Sequence, residues 1–140
     1  MARHAEAEWQ GALKSGQGRV RLGSGAYEGP YTFSSRFENG AGANPEELLG
    51  AALAGCFSMA LANSLNTAGF PTRSVHTVAH VHAGQDARGF LITRIDLDVK
   101  AAVASIDAAT FQRHVEETRV GCIIARSLSA TPISVSASIV

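Results

Sequence analysis

The sequence predicts an α+β domain in which antiparallel sheets wrap around one long central helix. Alternating segments separated by glycines near the N-terminus, one long apolar stretch after residue 44, and strongly alternating segments further on all predict it. The chain has 140 residues, 46% of them hydrophobic, which suits one domain with its own core. We predict a single domain over 1–140, with a β-meander in 1–40, the central helix in 45–67, and a hairpin, helix and final strand in 73–140.

The first forty residues predict the meander. Apolar and polar residues alternate over 6–11 and again over 19–22, with Gly- and Ser-rich turns after each segment. The segment 31–37 is the third predicted strand.

The central helix has clear start and stop signals. Asn44 suits the N-cap, Pro45 the first helical position, and the acidic residues after it the first turn, with Glu47 at the capping-box position. Gly69 ends the helix. The stretch between is apolar on almost every face, so we expect it to be buried on every face.

The C-terminal half alternates with a period of two. Strands are predicted over 74–83 and 90–103, joined by the loop 84–89, with Leu91, Thr93 and Ile95 on one face of the second strand. Asp107 is the predicted N-cap of a second helix that ends at Gly121. The remaining predicted elements are a short helix in 122–129 and a strand in 133–139.

The charge balance and the hydropathy of the chain limit the classes of partner that we expect. Twelve Lys and Arg balance twelve Asp and Glu, so the chain lacks the basic surface that nucleic acid or an anionic membrane requires. No uninterrupted apolar run reaches the roughly 18 residues of a spanning helix, and the N-terminus lacks the apolar core of a signal peptide. We expect a cytoplasmic protein without nucleic acid or membrane partners, in which Cys56 and Cys122 form no permanent disulfide.

The two cysteines and one arginine are candidates for chemistry. Cys56 lies about three turns into the apolar helix, where a lone cysteine usually acts as a small hydrophobe. Cys122 follows Gly121 at a predicted helix start, where free amide groups lower the pKa of a thiol. Their separation fits no zinc or CxxC motif, but they could meet in space as attacking and resolving thiols. Arg36 is either a solvated loop residue or a cation that holds Cys56 as thiolate.

The histidines offer a second site. His76, His80 and His82 share one face of a predicted strand, and the last two could chelate a metal, although a solvated strand face needs no such explanation. His4 and His114 have no evident partner in the sequence.

Two segments carry a family resemblance. SSRFENGAGANPEELLGAALAGCFSMALANSLNTAGF at 34–70 and IDAATFQRHVEETRVGC at 106–122 resemble the OsmC/Ohr family, the osmotically inducible and organic hydroperoxide resistance proteins. The resemblance is nearest to the OsmC branch and runs along nearly the whole chain. It implies an intertwined homodimer with two active sites at its interface, which agrees with a helix too apolar to leave uncovered.

The resemblance also implies an activity. It implies a thiol peroxidase that reduces organic hydroperoxides to alcohols without a cofactor or metal. By motif position Cys56 matches the peroxidatic cysteine, Cys122 the resolving cysteine, and Arg36 the residue that stabilises the thiolate. Glu46 matches the glutamate that orients Arg36, expected as a bidentate pair. The implied reductant is a dithiol, either a dihydrolipoyl protein or a small thiol.

Two features depart from a simple reading of that resemblance. The family usually has proline after the resolving cysteine, whereas Ile123 follows Cys122 here. Glu46 and Cys56 are ten residues apart, which on one straight helix means about 15 Å of rise and roughly 80° of rotation. Either the helix breaks between them or Glu46 serves the partner subunit's Cys56, and we favour the second.

Two alternatives remain at this stage. One is a non-catalytic protein of the same fold that binds a small ligand in an apolar pocket and keeps its cysteines inert. The other is a metal-binding protein that uses the histidines.

Overall fold

Two three-stranded sheets and one long helix make up most of the structure, a computed structural model that describes all residues, 1–140. The chain divides into two compact units, Met1–Leu48 and Leu49–Val140. The α+β class is therefore confirmed. In chain order the elements are β1 (Ala5–Gln10), β2 (Gln17–Leu22), β3 (Glu28–Tyr31), α1 (Phe33–Phe37), α2 (Pro45–Thr67), β4 (Thr72–Asp86), β5 (Gly89–Val103), α3 (Ala108–Gly121), α4 (Ile123–Ser127) and β6 (Ile133–Ile139).

The first unit contains the predicted meander, with β1, β2 and β3 paired antiparallel in that order. The predicted third strand over 31–37 is wrong, because β3 ends at Tyr31 and α1 follows. Thr32 caps α1: its side chain accepts a hydrogen bond from Ser35 N at 3.0 Å, and Ser35 Oγ accepts one from Thr32 N at 2.9 Å. This reciprocal pair satisfies two free helix amides and outweighs the alternation of the segment.

The central helix α2 has the predicted bounds. Asn44 Oδ1 accepts a hydrogen bond from the backbone of Glu47 at 2.8 Å, as expected for an N-cap. At the other end Gly69 has φ of 87°, and the next amide, that of Phe70, donates to Leu65 O at 2.9 Å. The left-handed glycine lets the chain satisfy the last carbonyls of the helix before it turns away.

Burial of α2 is one-sided, which corrects the expectation that every face is covered. Its buried residues recur every three or four positions and form a single stripe: Gly50, Leu53, Phe57, Leu61 and Leu65. The opposite face is apolar but exposed in the single chain, and Met59 on it is 77% exposed. The exposed apolar residues of this face are Ala51, Ala52, Gly55 and Met59, and the polar Asn63 follows them. We call these four apolar residues the open face of α2.

By length and composition, α2 is also apolar enough to cross a membrane. It has 23 residues and a window of mean hydropathy 1.6, so the expectation that no segment would qualify is wrong. The window qualifies because Ser and Asn interrupt the apolar run without adding charge. A helix at the core of a globular domain meets the same criterion, and the buried stripe of α2 packs in such a core.

The second unit holds a mixed sheet in the order β4-β5-β6. Strands β4 and β5 form the predicted antiparallel hairpin, but pairing continues to Asp86 and Gly89, so the predicted loop 84–89 is too long. Strand β6 pairs with β5 in parallel, which corrects the expectation of purely antiparallel sheets. The connection through α3 and α4 returns the chain to the end at which β5 began, as a parallel crossover requires.

A bulge changes which side chains of β5 face the core. His82 pairs with Arg94 and Ala83 pairs with Ile92, which leaves Thr93 unpaired between them. Ile92 packs against the core and Thr93 is exposed. The prediction that Leu91 and Thr93 share a face with Ile95 is therefore wrong, because one extra residue inverts the alternation beyond it.

Helix α3 begins and ends as predicted. Asp107 accepts a hydrogen bond from Thr110 N at 2.9 Å, and Phe111, 1% exposed, anchors the helix in the core. Helix α4 is shorter than the predicted 122–129. The core of this unit is built from the stripe of α2, the inner faces of the three strands and the buried side of α3.

Candidate active site

Arg36 and Glu46 form an ion pair within the first unit. Arg36 lies in the last turn of α1, and its Nε and Nη2 donate to Glu46 Oε1 at 3.1 and 2.8 Å. Both donors use the same oxygen, so the expected bidentate pair through two oxygens does not form. Glu46 Oε2 is buried and has no hydrogen-bond partner. One acceptor of the carboxylate is therefore left for a group that the single chain does not supply.

Short-range hydrogen bonds hold this pair in place. Ser35, 6% exposed, donates from its hydroxyl to Ala43 O at 2.8 Å, and Asn44 Nδ2 donates to Ser35 O at 3.2 Å. These bonds tie the helix that carries Arg36 to the start of the helix that carries Glu46. Arg36 therefore lies on an anchored helix and not in the predicted loop, although its side chain is 42% exposed.

Cys56 and Cys122 meet in the second unit although 66 positions separate them. Both are free cysteines; Cys56 is partly buried on α2, and Cys122, 4% exposed, joins α3 to α4. They lie near each other against the same apolar core, and the neighbouring Cys56 contributes to the raised pKa of Cys122. The structure thus brings together the two thiols whose approach the sequence left open.

The pKa of Cys122 is raised above its ordinary value of 9.0, chiefly by burial. The backbone amide of Ala125 donates to Cys122 Sγ at 3.4 Å and lowers the pKa, as expected for a thiol at a helix start. Burial outweighs this effect, and the neighbouring Cys56 raises the pKa further, so the expected net lowering is wrong. At neutral pH Cys122 holds its proton.

Cys122 takes over the role of the missing proline. It is itself the N-cap of α4, so the helix start is fixed by the sulfur and not by a proline ring. Ile123, in the place of that proline, is 75% exposed.

Two of the three histidines on β4, His80 and His82, lie beside carboxylates of β5, whereas His76 stands opposite Lys100. His80 Nε2 lies 3.0 Å from Asp98 Oδ2, and His82 Nε2 lies 2.8 Å from Asp96 Oδ2 but outside hydrogen-bond geometry. No group of three or more His, Cys, Asp or Glu side chains is placed to hold a metal ion. The strand face is a set of cross-strand pairs.

His114 has a partner in the structure that was not predicted from the sequence. Its Nδ1 lies 2.7 Å from Ser64 Oγ on α2, and the ring is 8% exposed. A signal was present, because His114 falls on the buried stripe of α3 between Phe111 and Thr118. A histidine in that position needs a buried partner.

An α+β domain with two free thiols near each other is typical of a small cysteine-based redox protein. The chain belongs to the OsmC family, because the family model described as OsmC-like protein matches residues 38–138. It is 44% identical over 126 residues to Peroxiredoxin OsmC of Escherichia coli (strain K12) and to the protein of that name from Shigella flexneri. Each match covers 89% of this chain and 88% of the relative, and this degree of identity makes the chain a cysteine-based peroxidase.

Solved structures agree on the fold. The organic hydroperoxide resistance protein OhrB of Bacillus subtilis superimposes with a TM-score of 0.72 at 19% identity, covering 98% of each chain. An OsmC-like protein of unknown function from Vibrio cholerae gives a TM-score of 0.78 at 13% identity, covering 99% of each chain.

Proposed function

We propose that this peroxidase reduces organic hydroperoxides to alcohols, with Cys56 as the peroxidatic and Cys122 as the resolving cysteine. One observation carries the proposal: two free thiols lie near each other, one partly accessible and the other buried with its pKa raised. The accessible thiol can meet a substrate. The buried thiol suits the second step, because its proximity to the first sulfur lets it attack the sulfenic acid and lose its proton only as the disulfide forms.

The proposed reaction balances with these two sulfurs. The Cys56 thiolate attacks the distal peroxide oxygen, so that an S–O bond forms, the O–O bond breaks, and the alkoxide leaves as alcohol after taking a proton. Cys122 then displaces hydroxide from the resulting sulfenic acid; the S–S bond forms and the thiol proton leaves in water. A dithiol, either a dihydrolipoyl protein or a small thiol, returns two electrons by exchange. Such a cycle requires a reducing compartment, and we place the enzyme in the cytoplasm.

Arg36 is proposed to stabilise the thiolate, with Glu46 orienting the guanidinium. Because α2 is unbroken from Pro45 to Thr67, the alternative in which the helix breaks between Glu46 and Cys56 is ruled out. Ten residues of helix correspond to about 15 Å, which no glutamate side chain spans. We therefore propose a homodimer in which Arg36 and Glu46 serve the partner subunit's Cys56.

Two features of the single chain support the homodimer. The open face of α2 is apolar and carries mostly small side chains, which let a second helix approach closely. The meander unit buries almost nothing by itself, since Gly29, Ser35 and Ala43 are its only buried residues. A three-stranded sheet without an apolar core of its own is marginal in water, so a partner surface would complete it.

The surroundings of Cys56 support an organic substrate. Leu49 and Ala60 lie two helical turns before and one turn after Cys56 on the same side of α2, and both are apolar and only partly buried. An alkyl group that covers this apolar surface gains about 25 cal/mol for each Å² removed from water, a gain that hydrogen peroxide cannot make.

The test is consumption of cumene hydroperoxide with dihydrolipoamide as reductant, measured for the wild type, Cys56→Ser and Cys122→Ser. We expect no turnover for Cys56→Ser, because the attacking sulfur is absent. Cys122→Ser should complete about one turnover and then stall or overoxidise, because no thiol resolves the sulfenic acid. Equal turnover by all three proteins would refute the mechanism.

A further inference from the structure

A buried polar pair that the proposed reaction does not use joins the two helices that lead to the cysteines. Ser64 Oγ on α2 and His114 Nδ1 on α3 share a hydrogen bond of 2.7 Å. The His114 ring is 8% exposed and meets the ring of Phe70 edge-on at 6.2 Å. Thr118 Oγ1 also donates to the His114 carbonyl at 2.8 Å. Ser64 and Phe70 therefore hold the imidazole, and Thr118 bonds the backbone that carries it.

This pair lies at the same distance along the chain from each thiol. Ser64 follows Cys56 by eight residues, and His114 precedes Cys122 by eight residues. Eight helical residues correspond to about 12 Å of rise. From Cys56 to Ser64 the chain runs forward along α2, whereas the facing residues run backward, from Cys122 to His114. The two helices are therefore antiparallel, and a contact at one point fixes the register at the other.

We propose that Ser64 and His114 are positioning residues that hold α2 and α3 in the register at which Cys56 and Cys122 can form a disulfide. A disulfide requires its two Cβ atoms within about 3.5–4.5 Å, so a small slide of one helix along the other removes it. Apolar packing alone allows such a slide. A buried hydrogen bond resists it, because breaking the bond leaves two polar groups unsatisfied.

The inference deepens the proposed function and rests on the same pair of thiols. Neither Ser64 nor His114 touches a sulfur or takes part in bond making. Their effect is on the fraction of time that the two sulfurs spend within bonding distance. It is therefore expected in the disulfide step and absent from the attack of Cys56 on the peroxide.

Four variants and one matched control test the proposal. Ser64→Ala and His114→Leu each remove one partner, and the double variant removes both. His114→Asn keeps a polar atom one bond from Cγ, where Nδ1 stands, and should restore the bond. The control is Thr77→Val, which removes a different side-chain hydrogen bond of α2, from Ser58 Oγ to Thr77 Oγ1 at 2.8 Å, and leaves α3 untouched.

The first readout is the equilibrium between free thiols and the Cys56–Cys122 disulfide in glutathione buffers, which needs no peroxide. Oxidised glutathione takes up the two electrons and leaves as two reduced molecules. Ser64→Ala and His114→Leu should each form about tenfold less intramolecular disulfide at a given buffer ratio, because the sulfurs are less well positioned. His114→Asn and Thr77→Val should match the wild type.

The double variant separates positioning from stability. Replacing both partners by apolar groups is close to neutral for folding, so its thermal midpoint should lie above those of the single variants. Its disulfide should nevertheless remain about tenfold less favoured, because no directional bond fixes the register. If disulfide formation recovers together with stability, or if the single variants match Thr77→Val, the positioning role is refuted.

A second readout distinguishes this failure from failure of the proposed function. Sulfenic acid at Cys56, trapped after one equivalent of cumene hydroperoxide, should form at the wild-type rate in every variant, with slower conversion to disulfide in the single and double variants. A wild type that forms the disulfide in glutathione but never reacts with peroxide would refute the proposed function and leave the positioning role standing.

Discussion

Glu46→Gln should slow the reaction with peroxide while Glu47→Gln does not. Both residues are acids in the first turn of α2, so both variants lose the same favourable interaction with the helix dipole. Glu46 alone accepts from Arg36, through Oε1 at 2.8 and 3.1 Å. The glutamine keeps an oxygen in that place but loses the charge that holds the guanidinium.

The magnitude follows from the geometry and exposure of the pair. A hydrogen bond between charged groups contributes about 1.5–3 kcal/mol when it is shielded from water. The side chains here are 42% and 23% exposed, and exposed ion pairs contribute about 0–1 kcal/mol, so we take about 1 kcal/mol. That corresponds to about a fivefold lower kcat/KM for cumene hydroperoxide.

The assay compares kcat/KM for the wild type and both variants, with urea unfolding to measure stability. Both variants should lose a few tenths of a kcal/mol of the free energy of unfolding from the helix dipole, and Glu46→Gln should lose up to about 1 kcal/mol more because it also weakens the ion pair with Arg36. Only Glu46→Gln should lose activity. If Glu47→Gln slows the enzyme equally, Glu46 acts through the helix start and does not orient Arg36.

Three further outcomes are expected. Light scattering should give about twice the 14.6 kDa of one chain, and Met59→Glu on the open face of α2 should shift the protein to monomer; a wild-type monomer contradicts the homodimer. The raised pKa of Cys122 means that the folded state keeps its proton longer than the unfolded chain does. Its contribution to stability is therefore full below about pH 9 and is lost as the pH rises through the folded value, so reduced wild type should lose more stability than Cys122→Ala between neutral pH and pH 10. Leu61→Ala, at a position with no exposure, should lower the free energy of unfolding by about 3 kcal/mol in urea, whereas Ala52→Gly on the exposed face should lower it by about 1 kcal/mol.

Signals from residues adjacent in the sequence predicted the central helix, the place of Cys56 on it and the place of Cys122 at a helix start. Asn44 and Gly69 fix the ends of α2 through bonds within a few residues of each, and the structure has the same bounds. The approach of Cys56 to Cys122 was left open, because only tertiary packing brings the two thiols together. Even there, the net pKa of Cys122 depends on burial, which a local helix-start argument does not contain.

Most of the wrong predictions concern strands, because strand direction and register depend on pairing between residues far apart in the sequence. Alternation predicts that β6 is a strand, but it carries no information on direction, so the parallel pairing with β5 was not foreseen. The bulge at Thr93 depends on register between two strands and has no local signature. The wrong prediction at α1 has a different cause, because Thr32 and Ser35 are three residues apart and their reciprocal hydrogen bonds have a local sequence signal.

The one-sided burial of α2 ties folding to protein concentration. If a second copy covers the open face, mass action stabilises the folded chain, and dilution withdraws that stabilisation as the subunits separate. The melting temperature should then rise with concentration, and activity should disappear at high dilution sooner than the stability of an isolated subunit would suggest. An apolar strip of four residues, Ala51, Ala52, Gly55 and Met59, would make the amount of enzyme in solution a determinant of whether each molecule stays folded.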